Sequence, residues 1–316
     1  MMESERFPRE TMRRRLRDLA ARGARLGTSS WRYPGWIGSV YSRERYLVRG
    51  RFSKARFERE CLREYAEVFP TVCLDGFYYR FPEPAAVRRL AEQTPEEFLF
   101  AAKATGEVTI KRFPKLARFG SKGGRENPAF LDATLFAETY LAAWEPFRKK
   151  LGVIIFEFSK FGPEDFRRGR EFVEALERFL ERLPLGWPYA VEIRNRAFLH
   201  PEYFAALARR GVAHTLNNWT DMPPISEQLA LLGDRAGSDL VVARFLLKPG
   251  RAYEEAVRRF SPYREAKEPD PEGRAAGAAL IRRALSAEGR KRLFLYVNNR
   301  FEGNAPETIA AMTDAA

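Results

Sequence analysis

Cysteine and histidine are scarce in this chain of 316 residues, which has only two of each: Cys61, Cys73, His200 and His214. Two cysteines form no disulfide framework and cannot supply a thiolate zinc site. No HExxH, CxxC or paired-histidine spacing is present. His200 stands at a predicted helix start, whereas His214 lies in an apolar strand with its side chain predicted toward the helices. The sequence therefore predicts no metal site of a familiar transition-metal type.

Long apolar runs are also lacking. No segment approaches the roughly 20 apolar residues that a membrane-spanning helix needs, and the first residues contain no apolar signal core. Residues 1–24 instead predict a basic helical extension with Met12, Leu16 and Leu19 on its buried face. We expect a cytoplasmic protein without a membrane partner, in which residues 25–316 form one domain. The sequence makes no prediction of an oligomeric state.

Acidic residues are outnumbered by basic ones. The chain has 55 lysines and arginines against 42 acids, which gives a formal net charge of +13. Most of the basic residues are arginine, whose guanidinium binds phosphate and carboxylate through two parallel hydrogen bonds. This balance favours anionic partners, either a small anionic ligand or nucleic acid. Compositional bias or a thermophilic surface explains the same excess without any partner.

Eight short apolar segments are typical of buried strands, and helical patterns separate most of them. They are RLGTSSW, TVCLDGFYY, FLFAAKAT, VIIFEFS, YAVEIRN, VAHTLNN, DLVVARFL and LFLYVNN. The predicted fold is α/β, a TIM-type (β/α)8 barrel with parallel strands. Helix signals include Ser53 as a cap, Pro84 and Pro306 at helix starts, and Gly211 at a helix end. Helices are also predicted over residues 128–150 and 163–183.

Three connections that follow strands are unusually long, at residues 32–51, 106–127 and 248–272. In a parallel barrel all three lie at the carboxyl-terminal face, where TIM barrels carry their active sites. The second and third loops are rich in lysine and arginine, so we expect a basic barrel mouth.

Charged and amide residues interrupt the apolar segments at or near their carboxyl ends. They are Asp75, Lys103, Glu157, Glu192, Arg194, Arg244, Asn298 and Asn299. Successive side chains of a strand point to opposite sides. The side chains of Glu192 and Arg194 therefore point to the same side as Ala190, whereas those of Val191 and Ile193 point to the other side. Since the apolar set must face the helices, the charged set is predicted to face the barrel interior or its mouth. The same reasoning applies to the other charged residues.

Five segments, in order, resemble the YecE-like proteins, a family catalogued as domain of unknown function 72. They are GTSSWRYPGW, TVCLDGFYYRFPEP, FAAKA, AVEIRNRAF and YVNN with NAP after it, and the resemblance runs from about Leu26 to Pro306. It implies a TIM-type barrel and no assigned reaction. Lys103, Glu192, Arg194, Arg244 and the Asn298–Asn299 pair fit the family pattern.

The sequence also departs from that pattern. Ile110, Asn195 and Asn304 occupy positions that are commonly histidine in the family. Cys73 stands where glutamate is usual, Asp75 replaces an asparagine and Glu157 replaces a glutamine. The resemblance therefore does not imply histidine-dependent chemistry for this chain.

The functional interpretation of the cluster is a pocket for acid–base catalysis, with Glu192 as general acid or base beside Lys103, Asp75 and Glu157. Arg194 and Arg244 would bind an anionic substrate, and Asn298 and Asn299 would orient it. Trp31, Tyr33 and Tyr79 would form a stacking wall for a ring. The alternative is a ring of compensating ion pairs with a purely structural role.

Three classes of function remain open. The first is an enzyme, either a hydrolase, a lyase or an isomerase, that acts on a small anionic ligand, phosphorylated or carboxylated. The second is a protein that binds or processes nucleic acid at the basic mouth. The third is a non-catalytic ligand-binding scaffold. No cofactor is predicted; the carboxylates could hold a divalent metal, but the neighbouring arginines and lysine disfavour it.

Overall fold

Eight parallel strands close into a barrel, as predicted. The computed structural model describes residues 7–233, 237–287 and 289–316. The barrel strands follow one another around the ring in chain order, and each pairs in parallel with its neighbours. They are β1 (Ala24–Thr28), β4 (Thr71–Leu74), β5 (Leu99–Lys103), β6 (Leu151–Phe158), β7 (Tyr189–Ile193), β8 (Ala213–Asn218), β9 (Leu240–Phe245) and β10 (Arg292–Val297). A two-stranded hairpin, β2 (Leu47–Val48) and β3 (Arg51–Phe52), lies outside the ring.

Helices follow the strands and cover the barrel. They are α1 (Arg9–Ala21), α2 (Lys54–Val68), α3 (Pro84–Ala91), α4 (Gly106–Thr109), α5 (Ala133–Leu135), α6 (Ala142–Trp144), α7 (Gly169–Arg182), α8 (Pro201–Arg209), α9 (Ile225–Leu232), α10 (Tyr253–Phe260), α11 (Pro271–Ser286), α12 (Asn299–Glu302) and α13 (Ala305–Asp314). None of the described helices is long and apolar enough to cross a membrane.

The cap residues confirm several predicted helix boundaries. The Ser53 hydroxyl accepts a hydrogen bond from the Arg56 amide at the start of α2. Pro84 opens α3, and Gly211 follows α8 with a positive φ of 64°. Two predicted helices begin later than expected. The helix expected from residue 128 starts after Asp132, whose carboxylate accepts from the Leu135 amide, and the helix expected from residue 163 starts at Gly169.

The N-terminal helix packs against the barrel through the face predicted from its sequence. Met12, Leu16 and Leu19 are buried. Arg9 pairs with Glu67 of α2 at 2.7 Å. The first six residues of the predicted extension lie outside the described residues.

Strand alternation divides the core into two parts, because successive side chains face opposite sides of a strand. The barrel interior is filled by Cys73, Ala101, Val153, Ile155, Ala190, Ala213, Leu240, Val242, Phe294 and Tyr296. The side chains on the other side of the strands, including Val191 and Ile193, pack against the helices in a larger apolar core. This arrangement confirms the predicted direction of the β7 side chains. The inward-pointing polar residues at the carboxyl ends of the strands therefore lie at the barrel mouth.

The three long connections follow β1, β5 and β9 and so lie at the carboxyl-terminal face. All three contain more regular structure than predicted: residues 32–51 carry two 3-10 turns and β2, residues 106–127 carry α4 and a 3-10 turn, and residues 248–272 carry α10. The loops after β1 and β9 contact each other closely. A Cβ on Gly35 would lie 2.0 Å from the Pro262 carbonyl oxygen, and the Tyr33 and Tyr263 rings are 5.5 Å apart.

Candidate active site at the barrel mouth

Six charged side chains meet at the carboxyl end of the barrel. Three are acidic and three are basic: Asp75, Glu157, Glu192, Lys103, Arg194 and Arg244. They come from the ends of five strands, β4, β5, β6, β7 and β9. The structure thus brings together all the charged residues that alternation predicted to face inward.

Glu157 lies at the centre of this charge cluster. Its Oε2 atom is 2.8 Å from Lys103 Nζ, 2.9 Å from Arg194 Nη2 and 3.0 Å from Arg244 Nη1. Burial by itself raises the pKa of a carboxyl group, but attraction to the three cations outweighs it and holds the pKa of Glu157 well below its ordinary value. Glu157 is therefore ionised in the folded protein.

Glu192 is enclosed more completely than Glu157. It is 0% exposed, and both of its oxygens accept hydrogen bonds from arginines. Oε1 accepts from Arg194 Nε at 2.9 Å, and Oε2 accepts from Arg244 Nη1 at 2.6 Å. A ligand has no route to either oxygen without displacing an arginine.

Lys103 and Arg244 keep their charge. Burial lowers the pKa of Lys103 and of Arg244, but the surrounding carboxylates raise both pKa values above their ordinary range. Two aromatic rings cover cations of the cluster. Lys103 Nζ lies 4.4 Å from the centroid of the Tyr78 ring, and the Arg194 guanidinium lies 3.8 Å from that of Trp219.

Asp75 is the most accessible member of the cluster. Its side chain is 35% exposed, against 10% or less for the other five. Arg244 Nη2 at 3.2 Å and Lys103 Nζ at 3.6 Å both contact its Oδ1 atom. Its second oxygen, Oδ2, is therefore the carboxylate atom of the cluster that a ligand reaches most directly.

Asp75 lies in the wall of a cleft of about 540 Å³. The cleft runs between the loop after β1, the chain after β4, and helices α2 and α3. β1 and β4 share only one register pair, Thr28 with Val72, so β4 continues past the end of β1 beside the cleft. A volume of this size is in the usual range for small-molecule sites, about 300–1,000 Å³.

Four arginines line this cleft: Arg32, Arg59, Arg80 and Arg89. Glu58 and Asp75 are the carboxylates that line it with them. Arg59 pairs with Glu60 at 2.7 Å. Within the described part of the chain, no carboxylate lies within 4 Å of the other three arginines. The cleft is therefore cationic, while the charge cluster behind Asp75 is balanced.

Apolar and thiol groups complete the cleft. Phe77 and Leu90 supply an apolar wall, and the Arg32 guanidinium lies 4.9 Å from the ring centroid of Trp31. Cys73 lies at the inner end, where burial raises the pKa of its thiol to about 12. A neutral buried thiol is a poor nucleophile.

Of the predicted aromatic wall, only Trp31 lines the cleft. Tyr33 packs between Trp36 and Tyr263 in the contact between two loops, and burial raises its pKa to about 12. Tyr79 is 66% exposed, and its ring faces the Arg118 guanidinium at 5.2 Å. The ring that covers the cluster is that of the preceding residue, Tyr78.

The two predicted amide residues support the chain after β10. Asn298 Oδ1 accepts from the Arg300 amide and caps α12, while Asn299 Oδ1 accepts from the Ala305 amide at 2.8 Å. Asn299 Nδ2 is buried and makes no hydrogen bond to the protein. Both oxygens are thus engaged with backbone.

Sequence reasoning missed the arginines of the cleft and the rings of Tyr78 and Trp219. Arg59 and Arg89 lie on solvent faces of amphipathic helices, where a charged residue is ordinary. The only local signal was the chain after β4, where Arg80 directly follows a predicted site residue, Tyr79. Nothing in either helix indicates that the two would face one cleft.

The histidines lie outside the cluster, as predicted. His200 is exposed at the start of α8. His214 is buried among the helices, where its ring contacts Tyr203 Oη at 3.0 Å and Gln228 Oε1 at 3.3 Å. Among residues 7–233, 237–287 and 289–316, no group of three or more histidine, cysteine, aspartate or glutamate side chains is arranged to hold a metal ion.

Comparison with solved structures shows the same fold. A DUF72 family protein from Enterococcus faecalis V583 is 19% identical, with a TM-score of 0.62 over 92% of this chain and 94% of that one. A DUF72 family protein from Thermotoga maritima MSB8 is also 19% identical, with a TM-score of 0.55 over 92% and 97% of the two chains.

Sequence comparison points to the same family. UPF0759 protein YecE from Escherichia coli K12 is 24% identical over 181 residues, which are 57% of this chain and half of that protein. The family model described as "Protein of unknown function DUF72" matches residues 25–316. The chain is a member of the DUF72 family, and its barrel is the fold of that family.

Proposed function

We propose that this protein is an enzyme that acts on a small anionic ligand, phosphorylated or carboxylated, bound in the cleft beside Asp75. The observation that carries the proposal is the gathering of Arg32, Arg80 and Arg89 around one cleft without carboxylate partners among the described residues. Like charges that share a cleft repel one another, and an anionic ligand relieves that repulsion. Arginine also matches phosphate and carboxylate through paired hydrogen bonds.

In this proposal Asp75 is the acid–base group that meets the substrate. Lys103 and Arg244 hold its Oδ1 atom, which orients the carboxylate and leaves Oδ2 for proton transfer. Glu192 has its two oxygens occupied by arginines and so supports the site through the charge balance. A proton transfer at Asp75 is compatible with a hydrolase, a lyase or an isomerase.

The six-charge cluster has a positioning role here. Glu157 and Glu192 neutralise Arg194 and Arg244, so the basic groups near Asp75 are fixed before a ligand arrives. The carboxylates of the cluster are already engaged by cations, which disfavours a divalent metal among them. We propose that the reaction uses no metal or other cofactor and takes place in the cytoplasm.

A thermal-shift screen tests ligand binding. Wild-type protein is heated with inorganic phosphate, phosphorylated sugars and organic acids, each beside an uncharged analogue. We expect stabilisation by one anionic class, and its loss in Arg32→Ala and Arg89→Ala but not in Arg283→Ala. Arg283 is an exposed arginine on α11 and serves as the matched control. Equal stabilisation of all four proteins would exclude the cleft as the binding site.

Asp75→Asn separates an enzyme from a binding scaffold. The variant keeps the shape of the carboxyl group and loses its capacity to accept a proton. We expect it to bind the stabilising ligand while turnover, followed by NMR of the ligand, falls by at least about a hundredfold. Binding without turnover by both wild type and variant would favour the non-catalytic scaffold.

Binding of nucleic acid is a second candidate with one specific observation behind it. Arg118, in the basic loop after β5, lies 5.2 Å from the Tyr79 ring centroid and 4.9 Å from that of Phe119. Exposed aromatic rings next to arginine are typical of surfaces that stack bases of single strands. Salt-dependent binding of a fluorescent oligothymidine that is weakened in Tyr79→Ala, and unchanged in Arg89→Ala, would favour this candidate over the cleft.

A further inference from the structure

A second groove lies on the outer flank of the barrel, away from the arginine-lined cleft. It has a volume of about 210 Å³ and runs between α7 and the chain that leads into α5. Its lining combines three aromatic rings with three cations: Phe130, Phe166, Phe179, Lys111, Arg178 and Arg182.

The floor of the groove is aromatic. The ring centroids of Phe130 and Phe166 are 6.1 Å apart, and both rings are only partly buried. Phe161 packs behind them, 6.1 Å from Phe130 and 5.0 Å from Phe166. The floor is therefore an exposed edge of the apolar core, with rings held in place from behind.

Three cations border this floor, and within the described residues two of them, Arg178 and Arg182, have no carboxylate partner. Arg178 and Arg182 are exposed and one turn apart on α7, a spacing at which like charges repel. Over the described ranges, no carboxylate lies within 4 Å of either guanidinium. Lys111 Nζ lies 5.5 Å and 5.4 Å from the ring centroids of Phe130 and Phe166, respectively.

Glu126 marks the position where an anion fits. Its carboxylate pairs with Lys111 Nζ at 2.7 Å, and its side chain is 60% exposed. An incoming carboxylate can replace this exposed partner at little cost, because solvent-exposed ion pairs are weak.

We infer that this groove is a docking site for an acidic segment of a partner protein that carries one aromatic side chain. The volume is below the usual range of sites for whole metabolites, about 300–1,000 Å³, and suits a single anchoring ring. The partner's ring packs on Phe130 and Phe166, and its flanking carboxylates meet the cations at the rim. Buried aromatic anchors with a charged rim are the usual arrangement of protein interfaces.

The backbone beside the groove has an unusual conformation at Leu131. Leu131 has a φ of 58°, in the left-handed region that a bulky residue rarely adopts. Its amide donates to the Val108 carbonyl at 2.9 Å, which holds this conformation. Leu131 is also one of the residues that line the groove. This site is independent of the proposed function at the cleft.

Fluorescence anisotropy with the full chain tests the inference. The probe is a fluorescein-labelled acidic peptide with one central phenylalanine, and a second peptide has alanine in its place. We expect the first to bind and the second to bind at least about tenfold more weakly. The double variant Arg178→Glu with Arg182→Glu should also lower affinity about tenfold or more, while Arg283→Glu should not. Thermal unfolding verifies that each variant is folded.

Three results would overturn the inference. Equal affinity for the two peptides would show that no ring enters the groove. Loss of binding in Arg89→Glu, with no change in the double variant, would place the peptide in the cleft. The third result is that oligothymidine displaces the peptide, binds more tightly than the peptide does, and loses affinity in the double variant. This result would identify the groove as a nucleic-acid surface.

Discussion

Glu192 Oε2 and Arg244 Nη1 lie 2.6 Å apart in the buried top layer of the barrel, on strands β7 and β9, which are separated by β8. The same guanidinium extends across the barrel interior to Asp75 at the end of β4. Arg244 therefore connects opposite sides of the barrel through carboxylates. Since it is 2% exposed, its charge depends on these partners and not on solvent.

Replacement of Arg244 by methionine should destabilise the protein strongly. The change leaves Glu192 and Glu157 without one of their arginine partners in a buried layer. We expect the free energy of unfolding to fall by about 3–5 kcal/mol, measured by chemical denaturation. The double variant Arg244→Met with Glu192→Leu removes one carboxylate as well and should recover part of the loss. No recovery would mean that the cavity, and not the unpaired charge, causes the loss.

Low pH should lower the stability of the folded protein because Glu157 becomes protonated. The three neighbouring cations hold the pKa of this carboxyl below its value in the unfolded chain. Its contribution to stability is therefore present above the unfolded pKa, about 4.3, and is lost as the pH falls toward the folded pKa. We expect the free energy of unfolding to fall below about pH 4, and to fall less steeply in Glu157→Gln. Parallel curves for the two proteins would contradict the assignment.

His214 should make the stability of the protein depend on pH in a higher pH range than Glu157 does. Burial lowers its pKa from 6.5 to about 4, so the ring is neutral in the folded protein. Because the unfolded chain binds the proton more readily, stability is complete above pH 6.5 and declines as the pH falls toward 4. The loss should be about 3 kcal/mol. His214→Gln should remove this slope, and NMR titration of the His214 ring measures the pKa directly.

Gly35 should not tolerate alanine. A Cβ there would lie 2.0 Å from the Pro262 carbonyl oxygen, so the loops after β1 and β9 would have to separate. We expect a loss of at least about 1 kcal/mol and faster proteolysis within residues 32–51. Gly76→Ala is the matched control, because no atom lies within 4 Å of its added Cβ. Equal stability of the two variants would show that the loop contact contributes little.

The barrel could be predicted because its signals are local. Each strand is a short apolar segment, and every predicted segment overlaps a barrel strand. The facing of Glu192 and Arg194 followed from alternation along a single strand, and their burial agrees with it. Helix starts with a capping side chain in the sequence, such as Ser53, were also accessible to this reasoning.

The accessible part of the site could not be predicted in the same way. Alternation assigns Asp75 and Glu192 to one interior layer, yet side-chain exposure is 35% for the first and 0% for the second. That difference depends on where β4 ends relative to β1 and on which arginines cover each carboxylate. Both are properties of the closed barrel.

By itself, the sequence determined the strands, their order and the inward facing of the charged residues, because periodicity and burial act within each segment. Only the tertiary structure decided that Arg32, Arg80 and Arg89 share one cleft with Asp75. These residues come from the loop after β1, the connection between β4 and α3, and a helix face, and each is unremarkable in its own segment. Their common position arises when β4 pairs with β1 and α3 lines the same cleft, a relationship between distant segments that no local pattern encodes.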